Sequence, residues 1–128
     1  QYGNPAILPV LQVLYPHLDY KNSKFHIDHI YPKAKFTIKN KDLSPDFIEE
    51  KNYLFNLQLL EGAENIGKKD ADPNVWIIEH FGNDINKIAD YKSKNYIDAC
   101  CTMQWNDFKT FKEKRTEALR AALMLAFK

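Results

Sequence analysis

Tyr53-Leu54-Phe55-Asn56-Leu57-Gln58-Leu59-Leu60 is a run of large apolar residues interrupted by two amides, and Gly62 ends it. Its bulky side chains favour a β-strand despite the leucines, and the polar residues 63–69 that follow predict a short helix. Upstream, Phe25-His26-Ile27-Asp28-His29-Ile30-Tyr31-Pro32 interleaves apolar and polar residues, as a second strand would. Two short strands and one helix therefore form the centre of the predicted fold.

Helical patterns flank this centre on both sides. Start and stop residues predict short helices over about residues 5–15, with an irregular start up to Pro9, and over about 45–52, 73–81 and from 84 onward. A longer amphipathic helix from about residue 106 has an inward stripe at three- and four-residue steps, made of Phe108, Phe111, Arg115, Leu119, Ala122, Leu123 and Ala126. The fold class expected is α+β, mostly α.

Composition limits the kinds of protein that this chain can be. Its 128 residues are enough for one core. The 18 Lys+Arg against 17 Asp+Glu give a net charge of +1, which excludes a protein that coats nucleic acid through an overall positive surface. The two cysteines, Cys100 and Cys101, are adjacent and fit neither a disulfide framework nor a zinc knuckle, so a reducing, cytoplasmic setting is expected. No apolar run could span a bilayer. Because Gln1 is not a methionine, we expect a domain of a longer polypeptide.

Residues 21–41 differ from the rest of the chain in charge and in chemistry. They hold six lysines against one acid, Asp28. On an extended strand His26 and Asp28 share a face, while His29 points across or lies at the following turn. A carboxylate suits Mg²⁺ or Mn²⁺, and a neutral imidazole can accept a proton from water. Two histidines and one aspartate near one strand are as often ordinary surface hydrogen-bonding groups.

A second set of polar residues lies downstream. Asn56 falls on the predicted second strand, Asn65 on the following helix, and Lys68 three residues later. The combined pattern, Asp28-His29-Ile30-x-Pro32, then Asn56, then Asn65-x-Gly67-Lys68, resembles the motif of HNH nucleases, also called ββα-metal or His-Me finger nucleases. With its flanking helices it is similar to the C-terminal nuclease domain of GmrSD-type restriction proteins.

The resemblance implies an architecture. Residues 1–128 would be a single nuclease domain, with a ββα-metal core at about 24–70 made of a short two-stranded hairpin and a helix. N- and C-terminal helices would wrap this core, the C-terminal helical part covering about 73–128.

The resemblance also implies roles for individual residues. Asp28 and Asn65 would hold one divalent cation, Mg²⁺ or alternatively Mn²⁺, and His29 would be the general base. Asn56 would orient His29 through its side chain or through loop hydrogen bonds. Four further residues could contact phosphate or, for the histidine, bind the metal, although a strand-edge histidine and solvated lysines explain them equally well: His26, Lys33, Lys35 and Lys68.

The function expected from the resemblance is metal-dependent hydrolysis of DNA in restriction or phage defence. A ParB-like nucleotide-hydrolysing domain of the same polypeptide would be the partner that selects the target. Two alternatives remain open at this point. One is a binding module that keeps the fold without cutting, and the other is a helical interaction domain in which the His-Asp cluster is incidental.

Overall fold

The computed structural model describes residues 1–127, apart from the side chains of Asn65 and Ile66. Five α-helices and two β-strands make up its regular structure, together with four short 3₁₀ helices. The α-helices are α1 (Ile7–Leu14), α2 (Gly62–Lys68), α3 (Pro73–Phe81), α4 (Ile85–Lys94) and α5 (Phe108–Ala126). The strands are β1 (Phe25–His29) and β2 (Leu57–Glu61), and the 3₁₀ helices are Lys33–Lys35, Pro45–Glu50, Leu54–Asn56 and Trp105–Asp107.

The two strands pair antiparallel, in a register that runs from Phe25 opposite Glu61 to His29 opposite Leu57. Helix α2 begins at Gly62, directly after β2, and packs against both strands. The predicted α+β, mostly helical fold with a short antiparallel strand pair is therefore confirmed. Within residues 1–127, no helix combines the length and the apolar character that a bilayer crossing requires.

One hydrophobic core joins the strands to the helices at both ends of the chain. Its centre is aromatic: the Tyr31 ring lies 4.9 to 5.0 Å from the rings of Trp105, Phe108 and Phe111. Burying side chains of this size is the main favourable term in folding, and edge-to-face ring pairs add to it. The segment that follows β1 is thus held against helix α5.

The second strand begins later than the sequence indicates. Residues 54–56 form a 3₁₀ turn, and the strand starts at Leu57, so the prediction that Asn56 lies on the strand is wrong. The physical reason is a distant cation. Arg115 Nη1 on α5 donates hydrogen bonds to the carbonyls of Leu54 and Phe55, at 3.2 and 2.6 Å, which directs these carbonyls away from a strand ladder.

Other predicted boundaries need smaller corrections. The segment expected to be a helix up to about Asn52 is a 3₁₀ helix, Pro45–Glu50, that begins after Ser44. Helix α1 is regular from Ile7, because Pro9 lies in its first turn, where no backbone N–H is needed for an intrahelical bond. The C-terminal helix begins at Phe108 and buries Phe108, Phe111, Arg115 and Leu119 from the predicted stripe.

Candidate active site

Asp28 and Gln58 face each other across the strand pair and are both buried. Gln58 Nε2 donates to Asp28 Oδ2 at 2.9 Å, and Gln58 Oε1 accepts from the Tyr91 hydroxyl of α4 at 2.7 Å. Buried polar side chains are stable only when they are paired in this way. A chain of hydrogen bonds therefore runs from α4 through β2 to the carboxylate on β1.

Lys68 brings a positive charge to the same carboxylate. Its ammonium is 3.1 Å from Asp28 Oδ2, and its side chain is fully buried. The same nitrogen donates to the carbonyls of His29 and Ile30, at 2.8 and 3.1 Å. Lys68 thus ties helix α2 to the end of β1. The predicted phosphate contact of Lys68 is not what this geometry favours, because the ammonium is enclosed and already has three partners.

Burial has opposite effects on the two members of this ion pair. It raises the pKa of the Asp28 carboxyl, an effect that the Lys68 charge and the Gln58 hydrogen bond oppose. It also lowers the pKa of the Lys68 ammonium, an effect that Asp28 opposes. Each charge thus favours the ionised form of the other in surroundings that penalise both.

His29 is the last residue of β1 and is half-buried. Its Nε2 lies 2.8 Å from Asn52 Oδ1. Because an amide oxygen can only accept, this contact favours the neutral tautomer that carries its proton on Nε2 and its lone pair on Nδ1. Burial lowers the pKa of His29, although Asn52 and Asp28 oppose the shift. The arrangement favours a neutral imidazole that can accept a proton.

Asn56 acts on the loop backbone and not on the His29 side chain. Its Oδ1 accepts from Tyr31 N at 2.9 Å, and its Nδ2 donates to the carbonyls of Tyr31 and Lys51, at 3.0 and 2.9 Å. Its own carbonyl accepts from Ile30 N at 2.8 Å. Of the two routes predicted for orienting the histidine, these contacts favour the route through loop hydrogen bonds.

The remaining candidate residues lie in different surroundings. His26 is exposed, and its ring lies close to Gly62, since a Cβ built there would be 3.5 Å from His26 Nε2. Lys35 is paired with Asp72, at 2.7 Å, whereas Lys33 is exposed and its charge contributes to lowering the pKa of His29. Of these three residues, only Lys33 contributes to the pKa shift of His29.

A divalent cation such as Mg²⁺ needs several oxygen ligands, among them carboxylates. The hydrogen bond from Gln58 and the ion pair with Lys68 both use Asp28 Oδ2, and no hydrogen bond or ion pair between described residues uses Oδ1. Asn65 belongs to α2, but its side chain lies outside the described residues. Across residues 1–127 with that exception, no three His, Cys, Asp or Glu side chains converge as a metal site. The described donors fit one cation, bound through Asp28 Oδ1 and neutral oxygens.

Sequence reasoning gave no role to several residues of this site. Asn52 contacts His29, Gln58 contacts Asp28, and the Tyr2 ring lies 4.8 Å from the His29 ring. Gln58 carried a signal, because an amide in the middle of a leucine run must find a partner once it is buried. Asn52 and Tyr2 lie outside any periodic pattern and carried none.

Comparison of the chain with models of known families and with curated proteins gave no match.

Proposed function

We propose that this chain is a metal-dependent HNH endonuclease domain that hydrolyses DNA phosphodiester bonds. The order of its elements supports the proposal, since an antiparallel strand pair is followed directly by a helix that packs on both strands. Three residues of the HNH-like motif also lie close together, since Lys68 contacts the Asp28 carboxylate and the His29 carbonyl. Asp28 and His29 come from β1, and Lys68 comes from the helix.

One observation carries the proposal: the His29 imidazole is held by Asn52 through Nε2, next to a buried carboxylate on the same strand. A neutral His29 in this arrangement would carry its lone pair on Nδ1, where it could accept a proton, and its backbone is held in place. Lys68 holds the His29 carbonyl, and Asn56 holds the loop two residues further on. Such bracing keeps a reacting group in one geometry.

The reaction follows from the atoms available. A water oxygen attacks the phosphorus while His29 Nδ1 takes the water proton, and the bond from phosphorus to O3′ breaks. The leaving O3′ takes a proton from a solvent water and protonated His29 returns its proton to solvent, so the products are a 5′-phosphate and a 3′-hydroxyl. Asp28 and Asn65 would hold the divalent cation, Mg²⁺ or Mn²⁺, which when bound stabilises negative charge on the phosphate. Lys33, exposed near His29, would contact the DNA backbone.

The biological setting belongs to the same proposal. A restriction or phage-defence role inside the cell fits a cutting domain with little net charge, because such a domain would bind DNA weakly alone. A ParB-like nucleotide-hydrolysing domain of the same polypeptide would then select the target.

A specific observation favours a second candidate, a module that binds nucleic acid without cutting. The Asp28 carboxylate is already balanced by the buried Lys68 ammonium. This pairing reduces the negative charge offered to a cation, and weak cation binding would leave the fold intact without activity. The nuclease proposal expects Mn²⁺ binding that requires Asp28, whereas the non-cutting module expects none.

Nicking of supercoiled plasmid tests the proposed activity. With Mg²⁺ or Mn²⁺ we expect nicking that EDTA abolishes and that His29→Ala reduces by at least about 100-fold. His17→Ala, at an exposed histidine outside the site, is the matched control and should nick like wild type. Equal nicking by wild type and His29→Ala, at equal protein and unchanged circular dichroism, would contradict the proposal.

Calorimetry with Mn²⁺ separates the two candidates. We expect weak binding by wild type that Asp28→Asn removes while the helical signal is retained. If Mn²⁺ binds equally to wild type and Asp28→Asn, Asp28 is not a ligand. If neither binds Mn²⁺ or nicks DNA but both bind DNA, the non-cutting module is the better description.

A further inference from the structure

Tyr2 occupies a fixed position beside the candidate general base. Its backbone N–H donates to the Asn52 carbonyl at 2.7 Å, and the Asn52 side chain holds His29. The Tyr2 ring meets the His29 ring edge-on, with centroids 4.8 Å apart and planes at 60°. One residue, Asn52, therefore positions both rings relative to each other.

Tyr2 is anchored through its backbone and yet 43% exposed. The turn behind it is closed by two further backbone hydrogen bonds, from Asn4 N to the Gln1 carbonyl and from Ile7 N to the Asn4 carbonyl. An aromatic ring that is held from behind and open to solvent loses little conformational entropy when a flat group stacks on it. This combination is typical of side chains that bind nucleobases.

Charge around the ring indicates what kind of flat group would bind. The Lys33 ammonium lies over the Tyr2 ring, 5.8 Å from its centre, at the end of an exposed side chain. A phosphate attached to a base on Tyr2 would be within reach of this ammonium. The two groups together match one nucleotide, with its base on Tyr2 and its phosphate near Lys33.

We infer that Tyr2 is a stacking platform for one unpaired nucleobase of the DNA substrate, next to the phosphate that His29 attacks. The inference rests on the proposed function for the position of that phosphate. It extends the function by naming the substrate class. A base inside a duplex has both faces covered by its stacked neighbours, so the inference favours a substrate with a single-stranded segment or an overhang at this point.

Binding to matched oligonucleotides tests the inference without cleavage. The probe is a hairpin duplex with a short single-stranded overhang, measured in EDTA by fluorescence anisotropy, and abasic sites are placed singly along the overhang. At one position we expect the abasic site to weaken wild-type binding about tenfold, within the range of base–aromatic stacking. Tyr2→Phe should show the same penalty, whereas Tyr2→Leu should lose it.

Tyr53→Leu is the matched control, because Tyr53 has nearly the same exposure, 44%, and lies outside the candidate site. It should keep the tenfold penalty. An equal abasic penalty in wild type and Tyr2→Leu would overturn the inference, and so would tighter binding of a blunt duplex than of the overhang substrate.

The outcomes separate the two proposals. If the abasic penalty depends on Tyr2 but neither plasmid nor the overhang hairpin is cut with Mg²⁺ or Mn²⁺, Tyr2 is a base-stacking site and the nuclease proposal fails. If plasmid is nicked through His29 but the penalty is the same without Tyr2, the nuclease stands and the platform fails.

Discussion

Lys68 and Arg115 are both fully buried cations. They bind opposite ends of the connection between the strands, residues 30–56, and differ in how their charge is balanced. Lys68 binds the carbonyls of His29 and Ile30, where β1 ends, and its charge is met by the Asp28 carboxylate. Arg115 binds the carbonyls of Leu54 and Phe55, just before β2 begins. The two ends meet at Asn56, whose carbonyl accepts from Ile30 N.

The difference between the two cations lies in what balances their charge. The remaining described contacts of Arg115 are the Asn95 carbonyl, at 3.0 Å, and the Tyr15 hydroxyl, at 3.3 Å, so neutral dipoles surround it. A guanidinium suits this role, because its fixed fork of donors can satisfy several carbonyls at once. Arg115 therefore stabilises the fold only. Lys68 stabilises the fold and also balances the charge of Asp28 next to the candidate catalytic histidine.

Replacing Arg115 should have the largest effect on stability. Arg115→Met leaves the Leu54, Phe55 and Asn95 carbonyls without this donor, and each unsatisfied buried group costs about 1–3 kcal/mol, so we expect a total loss on the order of 4 kcal/mol. Urea unfolding followed by circular dichroism measures it. Arg120→Met, at an exposed position of the same helix, should change stability by less than about 0.5 kcal/mol. Similar stabilities of the two variants would contradict the role given to Arg115.

Replacing Lys68 should cost less, and a second substitution should restore part of the loss. Lys68→Met leaves the Asp28 carboxylate buried without its cation, at a cost of about 3 kcal/mol. Adding Asp28→Asn removes that unpaired charge, so the double variant should be more stable than Lys68→Met by about 1–2 kcal/mol. Urea unfolding of the four proteins in this cycle checks the expectation. Strictly additive effects would mean that the two side chains do not form an ion pair.

The sequence predicts elements that depend on local periodicity. The stripe on α5 is visible in the spacing of its residues, and Arg115 is part of it. The partners of Arg115 are not visible, because Leu54 and Phe55 lie about 60 positions away in the sequence. For the same reason the sequence pattern starts β2 too early. The run 53–60 is apolar throughout, and only the fold brings the Arg115 guanidinium to the carbonyls of Leu54 and Phe55.

The candidate site shows the same limit. Asp28 and His29 can be chosen from residue chemistry, and the structure places them at the end of β1. The position of Lys68 on the helix allows a phosphate contact or a solvated charge, whereas the fold buries it against Asp28, a partner from another element. Asn52 precedes the second strand in an irregular segment, and only the folded loop brings it to His29.

Removing the Tyr91 hydroxyl is a smaller change in the network of Asp28, Gln58 and Lys68. Tyr91→Phe removes the donor to Gln58 Oε1 while keeping the buried ring, so we expect a loss of about 1–2 kcal/mol. Tyr53→Phe, at an exposed ring, is the control and should be close to neutral. A neutral Tyr91→Phe would show that the polar chain from α4 to Asp28 contributes no net stability.

The smallest expected effect is the pH dependence that His29 contributes. Burial lowers the pKa of His29 below its ordinary value of 6.5. The unfolded chain therefore binds this proton more readily than the folded chain does. The stabilising contribution is complete above pH 6.5 and is lost as the pH falls through 6.5 toward the folded-state pKa. His29→Gln should accordingly lose less stability than wild type on acidification.

A titration of the His29 ring protons by NMR, assigned by their absence in His29→Gln, measures this pKa directly. We expect a midpoint below 6.5 in wild type and a higher midpoint in Lys33→Met, because the Lys33 charge contributes to the lowering. If His29 is the general base, the acid limb of plasmid nicking should follow the same ionisation, since only the neutral ring accepts a proton. A wild-type midpoint above 6.5 would mean that the hydrogen bond from His29 to Asn52 and the charge of Asp28 outweigh burial. The pH dependence of stability predicted for His29 would then have the opposite sign.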